Sequence, residues 1–400
     1  MKRDTYRLDF LQERAENKER IFSSTEFELL ENARKRLYEA DQLVVRLGGK
    51  AGRLGECVVG TGLLETTLQA LHALKREGVA LHIVVDESVA ELFDAQLYRE
   101  RYWPQITIEY AAHTTHLTLE TLAKSGQQVL ALDFHGGHDD MPYLEQSADV
   151  AMLGHLFRTG IRNYAIRGSE RRYADFVEDL FALPTGTIGG QQAQPRLYLS
   201  PDNERRYHEL VKALGLDIHA VQVVCFFQSV VLAKCYERWD DAMQMLCEEM
   251  ARRRPEEHID FLVACGPEAD LPDGFKCSDM EDWFRDFEGY KGNAHVRTAT
   301  IPSLRDLATL IKHARLVLAN DTGPGHIAGA LGAPTVTPYL PGNLYSQRVW
   351  SSTLWHHGVT LEPSPYSFEQ LKNAVLWGKT DIINSIAPKQ LFEEMRACLF

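Results

Sequence analysis

Ala314-Arg315-Leu316-Val317-Leu318-Ala319-Asn320-Asp321-Thr322-Gly323-Pro324-Gly325-His326-Ile327-Ala328-Gly329-Ala330-Leu331-Gly332 carries the most structural information in the chain. Its first six residues form an apolar run with the character of a buried strand. The small, apolar residues from Ile327 to Leu331 read as the opening turns of a helix. Between them lies a short turn holding an acid, a hydroxyl, two glycines and a histidine. Pro324 suits the first helical position, where its missing N–H would have no partner. The free N–H groups of a helix start, at the positive end of its dipole, form an anion site. Gly323 and Gly325 would let a ligand come close to the backbone. A strand, a glycine-rich turn and a helix with these properties predict a diphosphate-binding turn in an α/β domain.

Outward from this turn, the 400-residue chain is long enough for two or more domains, each with its own core. A hydrophobic fraction of 44% and a charged fraction of 25% are ordinary for a globular protein. No apolar run approaches the roughly 18–20 residues a bilayer span needs, and Met1–Arg7 is too polar for a signal peptide. The seven cysteines (57, 225, 235, 247, 265, 277, 398) are scattered and include no C-x-x-C pair. They predict buried thiols in a reducing cytoplasm rather than a disulfide or zinc framework. A net charge of −13 argues against nucleic acid as the main partner.

The chain alternates strands and helices twice. Residues 1–41 are charged and helix-prone and read as an N-terminal extension. A first domain over 42–195 opens with Leu43–Leu47 and contains a helix from about Leu63 to Arg76. Leu81–Val85, Ile106–Tyr110 and Val129–Phe134 are its further strands. Residues 184–204, rich in Gly, Pro and Gln, read as a linker. A second domain over 196–366 contains Val221–Phe227, Ile259–Ala264, the strand before the opening turn, and Pro334–Tyr339. The tail, 367–400, reads as helices packing back on the first half. This alternation implies parallel sheets covered by helices, with ligands at the carboxyl ends of the strands. Two such domains would face each other across a cleft.

The run N-D-T-G-P-x-H-I-A-x-A-L-G-A-P-T-V resembles the nucleotide-sugar-binding motif of the ADP-heptose:lipopolysaccharide heptosyltransferases (glycosyltransferase family 9). Weaker likenesses follow in family order and cover most of residues 42–345. Gly55-Glu56 resembles the family's N-terminal Gly-Asp, and Leu132-Asp133-Phe134-His135-Gly136 resembles its D-L-Q-G strand end. Ser229 and Lys234, before Tyr236 and Trp239, resemble the loop that grips the donor's phosphates. Gly266-Pro267-Glu268 resembles the turn that reaches the nucleoside. The resemblance implies a GT-B fold and an inverting, metal-independent glycosyltransferase without a cofactor. Its donor would be a nucleoside-diphosphate sugar such as ADP-heptose. The acceptor could be a glycan, a natural product or a protein side chain.

The chemistry asks for particular groups. Departure of a diphosphate concentrates negative charge, so preorganised donors stabilise the transition state. The N–H groups around Thr322–Gly325, the Thr322 hydroxyl, Ser229 and the Lys234 ammonium fit that demand, with Pro324 shaping the turn that presents them. Asp321 has the wrong charge for a phosphate and suits a sugar or ribose hydroxyl, or the pinning of the turn. His326 can donate to a phosphate or a hydroxyl, and Glu268 is either a ribose ligand or a surface residue. The resemblance makes Glu56 the base for the attacking hydroxyl. Glutamate, however, replaces the family's aspartate behind a longer, more basic loop, so a pairing with Lys50 or Arg53 is the alternative. His135 and Asp139, in the polar cluster His135–Asp140, supply a competing base or acceptor contacts. That cluster's spacing matches no common metal signature. An epimerase or hydrolase of the same fold, or a non-catalytic nucleotide-sugar-binding protein, remain the other readings.

Overall fold

The computed structural model describes residues 31, 34–36, 39–47, 54–76, 79–102, 105–111, 128–133, 144–146, 150–153, 172–189, 194–266, 276–287, 289, 291–340, 356–360 and 367–400. These residues form two α/β units that divide between Tyr198 and Leu199.

The first unit runs β1 (Gln42–Leu47), α1 (Leu54–Ala73), β2 (Ala80–Asp86), α2 (Ala95–Arg101), β3 (Ile106–Ala111), β4 (Val129–Asp133), β5 (Leu144–Gln146), β6 (Val150–Leu153) and α3 (Arg172–Leu180). Its sheet has the order β3-β2-β1-β4-β6-β5. Every pairing is parallel except that of β5 with β6. β1 is buried almost throughout, which explains why its sequence is a continuous apolar run rather than an alternation.

α1 begins at Leu54, about nine residues before the start read from the sequence. Gly55, Gly60 and Gly62 and the β-branched Val58 and Val59 lower its helix propensity. Burial overrides this, because Cys57, Val58, Leu63, Leu64 and Leu68 are all fully enclosed. Gly62 lies where elements crowd. A Cβ there would come within 2.8 Å of Tyr173 on α3 and 3.0 Å of Pro195. Of the N-terminal extension, Arg34 is described, and its guanidinium donates to the carbonyl of Asp179 (2.7 Å) just inside the end of α3.

The second unit runs α4 (Asn203–Ala213), β7 (Val221–Phe226), α5 (Trp239–Arg253), β8 (Ile259–Cys265), α6 (Cys277–Trp283), β9 (Ala294–Thr300), α7 (Leu304–His313), β10 (Leu316–Ala319), α8 (Gly323–Leu331), β11 (Thr335–Tyr339), β12 (His356–Thr360), α9 (Phe368–Trp377), α10 (Asp381–Asn384) and α11 (Pro388–Leu399). Its all-parallel sheet has the order β9-β8-β7-β10-β11-β12, that of a dinucleotide-binding fold. The chain winds one way from β7 to β9 and the other way from β10 to β12. The switch point therefore falls between β7 and β10.

Tail residues of 367–400 contribute to the core of the second unit. Leu371, Ile383, Leu391 and Met395 share one core with Phe261 of β8, Leu318 of β10 and Trp239 of α5. The amphipathic faces of α9 and α11 would otherwise leave these apolar side chains in water. Five of the cysteines are buried and all seven are free. Among the described residues no helix is long and apolar enough to cross a membrane.

Candidate functional site

The opening turn lies where the sheet order of the second unit places a ligand, at the carboxyl end of β10 beside that of β7. Thr322 caps α8 with extended backbone (φ −139°, ψ 169°) and makes no side-chain cap hydrogen bond. The helix starts at Gly323, so Pro324 occupies its second position rather than its first. Its lack of an N–H still costs no intrahelical bond there. The buried Thr322 hydroxyl oxygen has no hydrogen-bond partner. An unmatched buried hydroxyl facing a helix start is a group that a ligand oxygen can satisfy.

Gly325 also has a packing role. It is buried, and a Cβ there would meet Ala319 Cβ at 3.3 Å and the Asn320 carbonyl at 3.5 Å. Its small size lets α8 close against the end of β10. At the other end of α8, Gly332 adopts the left-handed conformation (φ 71°) that ends the helix before β11.

Lys234 and Asp321 meet across the switch point. Lys234 Nζ lies 2.8 Å from Asp321 Oδ2, with side chains only 14% and 2% exposed. An ion pair so far from water is held by direct contact, because each charge alone would be costly to bury. His326 sits behind it, its Nε2 3.7 Å from Asp321 Oδ1 and its side chain 6% exposed. The ammonium expected at the diphosphate is thus engaged with the carboxylate expected at a sugar hydroxyl.

The loop after β7 brings Lys234 to this point. Ser229 is buried, and its hydroxyl accepts from the Val231 N–H (3.3 Å), starting the short 3-10 turn Leu232–Lys234. The Gln228 carboxamide accepts from the Gly266 N–H (2.8 Å), joining the loop after β7 to the turn after β8. Tyr236 and Trp239 are fully buried beneath the loop. Trp239 stacks on Phe227 with ring centroids 4.9 Å apart. The Tyr236 hydroxyl donates to the Ile386 carbonyl (2.9 Å). They act as core braces.

Sequence reading passed over Asn320 and Gln228. Asn320 is wholly buried, with Tyr236 N–H and Trp239 Nε1–H donating to its Oδ1 at 3.2 Å and 3.1 Å. An amide between an apolar strand and an Asp-Thr-Gly turn is the signal that could have marked it. Of the first-unit candidates, Glu56 lies in the first turn of α1, after the carboxyl end of β1. Lys50, Arg53, His135, Asp139 and Glu268 lie outside the described residues.

A second polar cluster, unread in the sequence, occupies the first unit. Glu65 on α1 is buried, and the Tyr198 hydroxyl donates to its Oε2 (2.9 Å), as does that of Tyr102. Burial pushes its carboxyl up to about 7, against the lowering effect of the two tyrosine hydrogen bonds and of Arg196 and Arg101. Arg101 lies over the Tyr198 ring at 4.6 Å. A glutamate inside the run Leu63-Leu64-Glu65-Thr66-Thr67-Leu68 was the available clue. Among the described residues no three His, Cys, Asp or Glu side chains are grouped to hold a metal ion.

Residues 289–373 match the family model of glycosyltransferase family 9 (heptosyltransferase). That segment contains the Asp321–His326 turn and the elements on both sides of it. No curated protein matches the chain in sequence. Among solved structures it is similar to a glycosyl transferase family 9 protein from Veillonella parvula. The identity is 15% and the TM-score 0.53, over 90% of this chain and 98% of that one. It is also similar to ADP-heptose lps heptosyltransferase II of E. coli, at 15% identity and a TM-score of 0.50, over 90% and 98% of the two chains. These likenesses bear out the resemblance read from the turn and show the fold: two Rossmann-like units of the GT-B type.

Proposed function

We propose that the chain is a glycosyltransferase that takes a nucleoside-diphosphate sugar, ADP-heptose foremost, at the carboxyl end of the β7–β10 pair. The observation that carries this reading is the Lys234–Asp321 pair beside the α8 N-terminus, whose Asp321 lies in the segment matched by the family model. The helix start, the unmatched Thr322 hydroxyl and Lys234 offer donors to a diphosphate. Asp321 offers an acceptor to a sugar hydroxyl. On this reading Ser229, Gly323, Pro324, Gly325 and His326 shape the donor pocket, and Glu268 meets the nucleoside.

The reaction is a single displacement with inversion and uses no metal. The acceptor hydroxyl oxygen bonds to the anomeric carbon as the bond from that carbon to the diphosphate oxygen breaks. The hydroxyl proton passes to Glu56, and the nucleoside diphosphate leaves with the electron pair. Lys50, Arg53, His135 and Asp139 serve the acceptor, which is a glycan, a natural product or a protein. The work is done in the cytoplasm. Support for these roles comes from the resemblance and from the position of Glu56 in the first turn of α1.

Measuring donor binding separately from turnover tests the assignment. Asp321→Ala and Lys234→Ala should each weaken nucleotide-sugar affinity by about tenfold or more, as expected when a buried charge loses its partner. If both leave affinity intact, the donor site is elsewhere. Glu56→Gln should keep donor affinity and lose about a hundredfold or more in turnover, the scale of a general base. Unchanged turnover would remove Glu56 from that role.

A further inference from the structure

We infer that Asn320 is the positioning residue of the candidate donor site: its buried carboxamide holds Lys234 against Asp321. The inference rests on the donor-site reading for its functional meaning, but its geometric content stands apart from it. Asn320 is 0% exposed and adjoins Asp321 in the chain. Its Oδ1 accepts from the Tyr236 N–H (3.2 Å) and from Trp239 Nε1–H (3.1 Å). Its Nδ2 donates to the Phe227 carbonyl (2.5 Å), and its own N–H donates to the Phe226 carbonyl (2.9 Å).

One planar group therefore fixes both ends of the segment that carries Lys234. Phe227 leads into Ser229 and the 3-10 turn, and Tyr236 follows Lys234 by two residues. With both ends tied to the residue beside Asp321, the reach of the lysine stem is set before any ligand arrives. Only a carboxamide does this. It accepts on one edge and donates on the other, and every bond it makes lies out of water. An aspartate would set an oxygen against the Phe227 carbonyl, and an alanine would leave the Trp239 indole and the Tyr236 N–H unmatched. Preorganisation of this kind lowers the ordering cost of gripping a diphosphate.

The test uses the whole chain as wild type, Asn320→Ala, Lys234→Ala and the double variant. Without ligand, reductive methylation of Lys234 is followed by peptide mass spectrometry relative to the exposed Lys212. The ratio should rise by about tenfold in Asn320→Ala, the size of an interaction energy between residues in one network. A role in stability alone would lower the unfolding temperature and leave that ratio unchanged. With ADP as the probe, calorimetry should show about a tenfold loss of affinity in Asn320→Ala and little further loss in the Lys234→Ala background. An unchanged ratio in a folded variant, or a loss that adds in full to that of Lys234→Ala, would overturn the inference. If wild type fails to bind ADP, the donor-site reading falls, while the methylation ratio still decides the role of Asn320. Should Asn320→Ala not fold, Trp239→Phe removes one donor to Oδ1. It should move both readouts the same way by a smaller factor, and no movement would count against the claim.

Discussion

Glu65 shows most directly how a single residue can be tested. Its carboxyl is raised from 4.5 to about 7 by burial, so between those values the folded chain keeps a proton that the unfolded chain releases. Its stabilising contribution is complete below about pH 4.5 and is lost as pH rises through about 7. The amount is roughly 3 kcal/mol at full span. Wild type should therefore lose stability relative to Glu65→Gln between pH 5 and pH 8 in parallel denaturant titrations. A constant difference would contradict the buried-carboxyl account. At this scale the sequence was legible in part. Asp321 and Lys234 stood out through their residue types and neighbours. Their mutual contact did not, because 87 residues separate them and only the β7–β10 pairing brings them together. Asn320 is polar but has no chemistry of its own, so its importance lies in partners that a sequence does not display.

Among elements, strands were easier to read than helix limits. β7, β8 and β10 are buried throughout and mostly apolar, broken only by Gln222 and Asp260, because the sheet is covered on both faces, whereas β9 and β12 are edge strands with weaker patterns and went unread. α1 was cut short because three glycines and two valines in its early turns mask a helix whose stability comes from packing. Gly62 tests that packing. Alanine there would bring Cβ to 2.8 Å from Tyr173 and 3.0 Å from Pro195. Overpacking of this kind costs about 1–3 kcal/mol, to be read in the unfolding of the first unit. An unchanged midpoint would mean that α1, α3 and residue 195 are less closely fitted than their positions show. Gly378 tests the element beneath Lys234. It holds φ 63° after α9, and a Cβ would lie 2.9 Å from Leu232 Cδ1 in the 3-10 turn. Gly378→Ala should cost about 1–2 kcal/mol from the left-handed backbone alone. It should also weaken ADP binding by displacing that turn. Loss of stability with full ADP affinity would separate the tail from the site.

For the molecule as a whole, two doubly wound units were legible from strand–helix alternation, whereas the core partners of the tail were not. Amphipathic helices advertise that they pack, not where. Here the core built from α5, β8, β10 and α9–α11 assigns 367–400 to the second unit. Ending the chain at residue 366 should therefore expose that core and abolish cooperative unfolding of the second unit. A stable, cooperatively folding product would contradict the assignment. The central claim is that the second unit binds a nucleoside-diphosphate sugar at the Lys234–Asp321 turn. It is tested most directly by thermal unfolding of wild type and Lys234→Ala across a panel of nucleotide sugars. A ligand at about a hundredfold over its Kd adds roughly 2.7 kcal/mol to the folded state. The account predicts a raised midpoint for wild type, largest with an ADP-linked sugar, and a shift mostly lost in Lys234→Ala. Equal shifts in both proteins, or none in wild type with any member of the panel, would contradict it.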